Sequence, residues 1–176
     1  MKYSVIFLSL LVFSTTNVLV DFNIESNLNN WFIVDDVVMG GRSDGNFYIN
    51  QEGNGVFEGY VSLENYGGFS SVRYRFEELN VKPYKSILLR LKGDNKRYQF
   101  RLKTSKYDRH SYMMTFQTSD VWELIEIPLD KMYPTFRGMM LDMPNFPSEQ
   151  MEEVAILIAN EKAEDFKLTI DKIWLE

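Results

Sequence analysis

The chain has 176 residues, 45% of them hydrophobic, with 19 basic and 25 acidic side chains, a net charge of −6, one histidine and no cysteine. That length suits one domain with a well-filled core, and the acidic balance argues against nonspecific nucleic-acid binding through overall charge. The lack of cysteine and the single histidine exclude disulfides, thiolate metal sites, cysteine nucleophiles and multi-histidine centres, so the composition favours a binding or assembly module.

The N-terminus has the pattern of an export signal. Lys2 precedes an apolar run at residues 5–13, which is followed by polar residues 14–17. About nine apolar residues are too few to span a bilayer, which needs roughly 20, but they suit a signal peptide. The sequence therefore predicts a signal peptide over residues 1–20 and a secreted or periplasmic protein, although no Ala-x-Ala cleavage site is present. An uncleaved anchor, the only predicted route to the membrane, and a buried N-terminal strand are the alternatives.

The body of the chain consists of short runs that alternate apolar and polar residues. Such alternation, at spacings near 8–12 residues, is typical of strands in a sandwich. Ten strands are predicted, at residues 31–34, 46–49, 56–63, 71–76, 86–92, 98–104, 112–117, 122–129, 154–158 and 166–175. The prediction is an all-β fold, a jelly-roll β-sandwich with little helix, forming a single domain over residues 21–176.

Glycine, proline and methionine are unevenly distributed. Eight of ten glycines lie in residues 40–68, which predicts a turn-rich region, and the lack of a lysine at Walker spacing argues against a phosphate loop. Four of five prolines and five of nine methionines lie in residues 128–151. Proline disfavours a central strand, so this segment is predicted to be a long irregular connection. Its methionines either plug the core or form an adaptable binding surface.

Three stretches read VDDVVMGGRS at residues 34–43, GVFEG at 55–59 and LENYGGFSSVR at 63–73. They resemble the complex I intermediate-associated protein 30 family, and the similarity extends through KRYQFR at 96–101 and FRG at 136–138. The resemblance implies a galactose-binding-like jelly roll, similar to certain carbohydrate-binding modules. It also implies a non-catalytic, chaperone-like assembly role, because the family's named eukaryotic member assists assembly of respiratory complex I. A carbohydrate-binding protein is the alternative function.

Five polar residues of the glycine-rich stretches form the first candidate site. Arg42 and Arg73 lie in separate stretches, and Asp35, Asp36 and Asn65 would complete a polar cluster at one end of the sandwich. The cluster either contacts a ligand or partner, or is an Asp–Arg network that braces the turns.

A basic segment is the second candidate. Residues 73–103 hold ten basic and three acidic residues, a net charge of +7. If the strands are neighbours, alternation places their cations on one sheet face; the candidates are Arg73, Arg75, Arg90, Lys92, Arg97, Arg101 and Lys103. Such a face suits an anionic glycan, an acidic protein segment or lipid headgroups. Alternatively, it is a solvated face neutralised by acidic strands such as that of Glu123 and Glu126. Arg137 of the FRG segment is a further candidate contact.

Aromatic and acidic residues give weaker signals. Possible sugar platforms are Tyr48, Tyr60, Tyr66, Tyr107 and Tyr133, whereas Trp31, Trp122 and Trp174 are predicted to be core residues. Glycoside hydrolysis needs two carboxylates, for which Asp35 with Asp36 or Glu123 with Glu126 are the nominees. His110 is expected in an exposed turn, and a structural calcium ion near Asp21 or Asp171 is an open alternative. We assign no catalytic residue, metal or cofactor, and expect a protein partner or an anionic glycan and no nucleic acid.

Overall fold

A computed structural model describes residues 16–176, which form a two-sheet antiparallel sandwich. The strands are β1 Asn17–Asp21, β2 Trp31–Asp35, β3 Asp44–Ile49, β4 Gly55–Val61, β5 Ser70–Asn80, β6 Ser86–Lys92, β7 Arg97–Lys103, β8 Ser111–Gln117, β9 Trp122–Pro128, β10 Tyr133–Phe136, β11 Met139–Met140, β12 Gln150–Ile158 and β13 Glu164–Leu175. Helical structure in this part of the chain is limited to 3₁₀ turns at Asp36–Met39, Glu64–Tyr66 and Leu129–Lys131. The predicted all-β jelly roll with little helix is confirmed.

The strand order separates the chain into two sheets. One has the order β3-β4-β13-β6-β9, with β1 also paired to β13. The other has the order β11-β10-β8-β7-β12-β5-β2. Alternation gives each sheet an apolar inner face, as on β7, where Tyr98, Phe100 and Leu102 are buried while Arg97 points outward to solvent. Within residues 16–176, no helix is long and apolar enough to cross a bilayer.

The ten predicted strands are present, and three further ones were missed. Two of them, β10 and β11, lie in the segment predicted to be irregular. That prediction was wrong there because β10 is only four residues long and lies near the sheet edge, where Pro134 is tolerated opposite Tyr112.

The third missed strand, β1, crosses the predicted leader boundary at residue 20. Val18 pairs with Trp174 and Val20 with Ile173 at the end of β13. Cleavage after residue 20 would remove this strand. The apolar run at residues 5–13 lies outside the described residues, so the leader stays a prediction.

Candidate functional site

The buried carboxylate of Asp36 joins the two glycine-rich stretches. It follows β2 directly and is fully buried. Its Oδ1 accepts a hydrogen bond from the Ser43 N–H (2.9 Å), and its Oδ2 accepts from the Ser43 hydroxyl and from the N–H groups of Gly68 (2.6 Å) and Phe69 (3.2 Å). One side chain thus connects segments about 30 residues apart, and we call this arrangement the Asp36 clamp.

The pKa of Asp36 and the space around its carboxylate both agree with the clamp. Burial opposes ionisation of Asp36, but the Ser43 hydroxyl and the N–H groups of Gly68, Ser43 and Phe69 hold its pKa below the usual value. A Cβ at Gly41 or Gly67 would overlap the Asp36 carboxylate, which explains glycine at both positions. The clamp is therefore an ionised, tightly enclosed anchor.

The clamp holds a group of exposed apolar side chains on two adjacent turns. Asp36–Met39 forms one 3₁₀ turn and Glu64–Tyr66 forms the other. We call the exposed apolar residues at these turns the loop patch. It comprises Val37, Val38 and Met39 of the first turn, Leu63, which precedes the second turn, and Tyr66 of the second turn. Val38 is 73% exposed and Tyr66 fully exposed. Apolar groups gathered on anchored backbone are typical of a contact surface.

The predicted polar cluster at this end forms only in part. Asp35 lies next to the clamp and accepts a hydrogen bond from the Gly45 N–H (3.0 Å), and burial raises its pKa. Arg42 forms an exposed ion pair with Glu64 (3.1 Å), and Asn65 lies at the turn with φ of 54°. The inclusion of Arg73 in this cluster was wrong, because Arg73 lies along β5 and points to the outer face of the seven-stranded sheet. The braced-turn interpretation describes Asp36, whose partners here are Ser43 and backbone N–H groups and not an arginine.

Strand register brings a second set of polar residues together on that outer face. Across β2, β5, β12, β7, β8 and β10, one row reads Phe32, Arg73, Ala155, Arg101, Met113 and Tyr133. The next row pairs Glu153 with both Arg75 and Lys103. We call the charged residues of these rows the arginine face, which comprises Arg73, Arg75, Arg101, Lys103 and Glu153.

Glu153 is the acidic centre of the arginine face. It is 2% exposed and accepts a hydrogen bond from Arg75 Nε (2.7 Å), and Arg73 Nη1 lies 3.6 Å from its other oxygen. The shallow depression beside it is lined by Ser71, Arg73, Arg101, Ser111 and Ala155, among others. The arginine face holds four cations and one carboxylate, so it carries a net charge of +3.

Arg101 is the unusual member of the arginine face. Its guanidinium is mostly buried and donates to Gln99 Oε1 (2.6 and 3.0 Å) and to the Ser111 hydroxyl (3.4 Å). In residues 16–176 no carboxylate lies within 4 Å of it. Burial, followed by the charge of Arg73, lowers the pKa of Arg101 to about 10, so it remains a cation at neutral pH. Buried charges in proteins are normally paired, which makes this side chain a candidate ligand contact.

The predicted basic band is thus split between the sheets. Arg90 and Lys92 lie on β6 of the six-stranded sheet, where Arg90 pairs with Asp171 (2.7 Å). Placing them on one face with Arg101 was wrong, because β6 pairs with β13 and β9 rather than with β7. Arg97 is exposed at the start of β7, and Arg137, with φ of 51°, lies over the Phe136 ring in the β10–β11 turn.

The aromatic candidates do not form a common platform. Tyr66 and Tyr107 are exposed at separate turns, and Tyr133 lies half-buried at one end of the Arg101 row. The prediction that Trp122 is a core residue was wrong, because it starts edge strand β9 and is 39% exposed beneath Arg90. Trp31 does pack inside, stacked on Tyr74.

The methionines and the remaining aromatic candidates lie in several different environments, some in the core and some at the surface. Met132 and Met151 fill the core, whereas Met139, Met140 and Met143 are exposed. The Tyr48 hydroxyl donates a hydrogen bond to Glu58 Oε1 (2.9 Å), and Tyr60 is exposed on the adjacent strand β4. The core interpretation therefore applies to Met132 and Met151, whereas a binding role for the exposed methionines stays a prediction.

The nominated carboxylate pairs are engaged elsewhere. Asp36 is enclosed by the clamp, and Glu123 and Glu126 stand on opposite faces of β9, bonded to Ser119 and to the Ser86 hydroxyl. His110 lies edge-on to the Tyr112 ring. Across residues 16–176, no group of three or more metal-ligating side chains occurs. The calcium nominees instead form ion pairs, Asp21 with Lys172 and Asp171 with Arg90.

Solved structures with the same fold include carbohydrate-binding modules. The family 11 module of cellulosomal cellulase Lic26A-Cel5E of Clostridium thermocellum is 15% identical, with a TM-score of 0.65 over 92% of this chain and 94% of that one. The Clostridium thermocellum module in complex with a β-1,3-1,4-mixed-linked tetrasaccharide gives a TM-score of 0.64 at 15% identity, over 91% and 94%. An agarase, AgWH50C, matches 92% of this chain over 24% of its own length, at 10% identity and a TM-score of 0.60. These likenesses establish the fold.

Family membership comes from the sequence. The family model described as complex I intermediate-associated protein 30 matches residues 20–170, which include the Asp36 clamp, the loop patch and the arginine face. The chain belongs to the complex I intermediate-associated protein 30 family.

Proposed function

We propose that this protein is a non-catalytic, chaperone-like assembly module that binds an apolar segment of a client protein through the loop patch. The observation that carries this proposal is the Asp36 clamp, which uses one buried carboxylate to hold two turns bearing Val38, Met39 and Tyr66 exposed to solvent. Membership of a family named for association with complex I intermediates supports a protein client.

The clamp makes the loop patch suitable for binding. Its backbone is fixed by hydrogen bonds from three residues, so a client does not have to order these turns on association. Burying Val37, Val38 and Met39 under a client removes apolar surface from water, and Tyr66 adds a large ring with a polar end. Charged Arg42 and Glu64 form a polar rim beside these side chains, as at other protein interfaces.

Paired substitutions test the loop patch. Val38→Asp is expected to abolish a stoichiometric complex with a client from the source membrane fraction, since it places a charge in the middle of the contact. Val121→Asp is the matched control, because Val121 is also an exposed valine (60%) but lies next to β9 in the other sheet. Equal loss of binding in both variants, or in neither, would contradict the proposal.

A second function, carbohydrate binding, is favoured by a different observation. The arginine face borders a small depression of about 30 Å³ on the outer surface of a sheet, where hydroxyl, amide and guanidinium groups lie close together. Such groups suit sugar hydroxyls. The shared fold with carbohydrate-binding modules supports this candidate. Binding to a glycan array tests carbohydrate binding, and no binding to any glycan on the array would refute it.

We further propose that the protein acts outside the cytoplasm, on the basis of the apolar N-terminal run. Because β1 pairs with β13, we expect cleavage before Asn17, earlier than the predicted boundary at residue 20, so that the strand is retained. Fractionation of source cells tests the location. The Val38→Asp variant keeps the same N-terminus and should appear in the same fraction as the wild type. Retention of the chain in the cytoplasm at full length would refute export.

A further inference from the structure

We infer that the arginine face binds the carboxylate of an acidic sugar, a uronic acid residue within a polysaccharide, with Arg101 as the main cationic contact. This inference deepens the second proposed function by naming its ligand class, and it is independent of the loop patch.

The position of Arg101 relative to Arg73 indicates where the carboxylate binds. Both residues lie directly opposite Ala155, one from each neighbouring strand. Adjacent strands are about 4.8 Å apart, so the two arginine backbones are roughly 10 Å apart with a small side chain between them. Ala155 has only a methyl group, and Arg73 and Arg101 both line the small depression beside it. Arginine binds carboxylates in a planar, two-pronged geometry.

The partners of Arg101 leave its charge uncompensated. Gln99 and Ser111 supply only neutral oxygens, and Arg73 adds a second positive charge beside it. Arg75 and Arg73 already face a carboxylate, that of Glu153. An incoming carboxylate would therefore give Arg101 the counterion that the protein does not supply within the described residues.

Among the residues that the structure describes, Glu153 leaves Arg101 as the guanidinium of this face that lacks a counterion. Its carboxylate is 2% exposed, and its two oxygens already face Arg75 and Arg73, so these arginines are partly neutralised. One carboxylate per sugar residue, flanked by hydroxyls, matches one uncompensated guanidinium beside neutral polar groups. The Ser111 hydroxyl and the Gln99 amide, both next to Arg101, add further neutral contacts.

Binding measurements on the full chain at fixed salt test the inference. The probes are polygalacturonate, neutral mixed-linkage β-glucan and polyglutamate. We expect polygalacturonate to bind, with its affinity lowered at least about tenfold by Arg101→Met, because a charge-assisted bidentate contact is lost. Arg101→Lys keeps the charge but not the planar fork, and is expected to weaken binding by an intermediate factor. Arg97→Met, on the same face of the same strand but exposed, is the matched control and should bind like the wild type.

Each contrary result has a distinct meaning. Binding of neutral glucan that is insensitive to Arg101→Met would overturn the acidic-sugar inference while leaving carbohydrate binding in place. Absence of binding to any glycan would overturn both. Polyglutamate binding equal to or tighter than that of polygalacturonate would assign the arginine face to an acidic protein segment instead. Because Arg101→Met can disturb folding, thermal melts of all variants accompany the titrations, and Arg101→Lys decides the outcome if the methionine variant is unstable.

Discussion

Replacing Asp36 with asparagine tests the clamp at its single buried carboxylate. Asparagine has nearly the same shape but only one acceptor oxygen. In its better orientation that oxygen faces the Gly68 and Phe69 N–H groups and the Ser43 hydroxyl, and its amide group then opposes the Ser43 N–H. One buried donor loses its partner, and three hydrogen bonds lose the assistance of a charge.

These losses set the expected magnitude. An unpaired buried N–H costs about 1–3 kcal/mol, and loss of charge costs about 0.5–1 kcal/mol for each of the three remaining bonds. Asp36→Asn should therefore lower the free energy of unfolding by about 2.5–6 kcal/mol and the melting temperature by roughly 5–24 °C. Urea denaturation and thermal melts measure both. Asp142→Asn, at an exposed aspartate, is the control and should change stability by less than about 0.5 kcal/mol.

The difference in stability between wild type and Asp36→Asn should depend on pH in a defined way. Because the pKa of Asp36 is lowered on folding, its contribution is present above the unfolded pKa of about 3.9 and is lost as pH falls through the folded value. The stability gap between wild type and Asp36→Asn should be constant between about pH 5 and 7 and narrow below about pH 4. A loss below about 1 kcal/mol at pH 7, or a gap that widens in acid, would refute the clamp as an ionised anchor.

Three further predictions concern the clamp, the arginine face and strand β1. Gly67→Ala should lower the unfolding free energy by about 1–3 kcal/mol, because its Cβ would overlap the Asp36 carboxylate; an unchanged urea midpoint would contradict this. Glu153→Gln should cost about 3 kcal/mol, since two arginines lose their shared carboxylate; a more stable variant in the same urea titration would show that the pair is not needed. If the leader is removed, intact-mass analysis of the exported protein should give an N-terminus at or before Asn17, and a start after residue 20 would show that β1 is dispensable.

Much of the fold was predictable because alternation is a local property. On β7, the pattern from Arg97 to Lys103 determines which side chains face the core, and the observed burial follows it. Strands β10 and β11 were missed because they are short, and one contains Pro134. β1 was missed because its residues also fit the end of a leader.

The candidate site was less predictable because it depends on pairing between distant strands. The segment around Arg73 indicated a cation on an outer sheet face, but not that Ala155 and Glu153 of β12 would lie between it and Arg101. Asp36 was singled out with the glycine-rich stretches, yet its partners at residues 68 and 69 depend on the return of the chain into β5. Neither arrangement can be inferred from the spacing of residues along the chain.

Site-specific photocrosslinking tests whether the loop patch is the client surface. A photoreactive residue in place of Val38 or of Val121, in the full chain within its source cells, reports what contacts each surface. We expect one stoichiometric protein adduct from position 38, which is lost when Asp36→Asn is combined with it, and no such adduct from position 121. The same adducts from both positions, or none from position 38 in a folded protein, would contradict it.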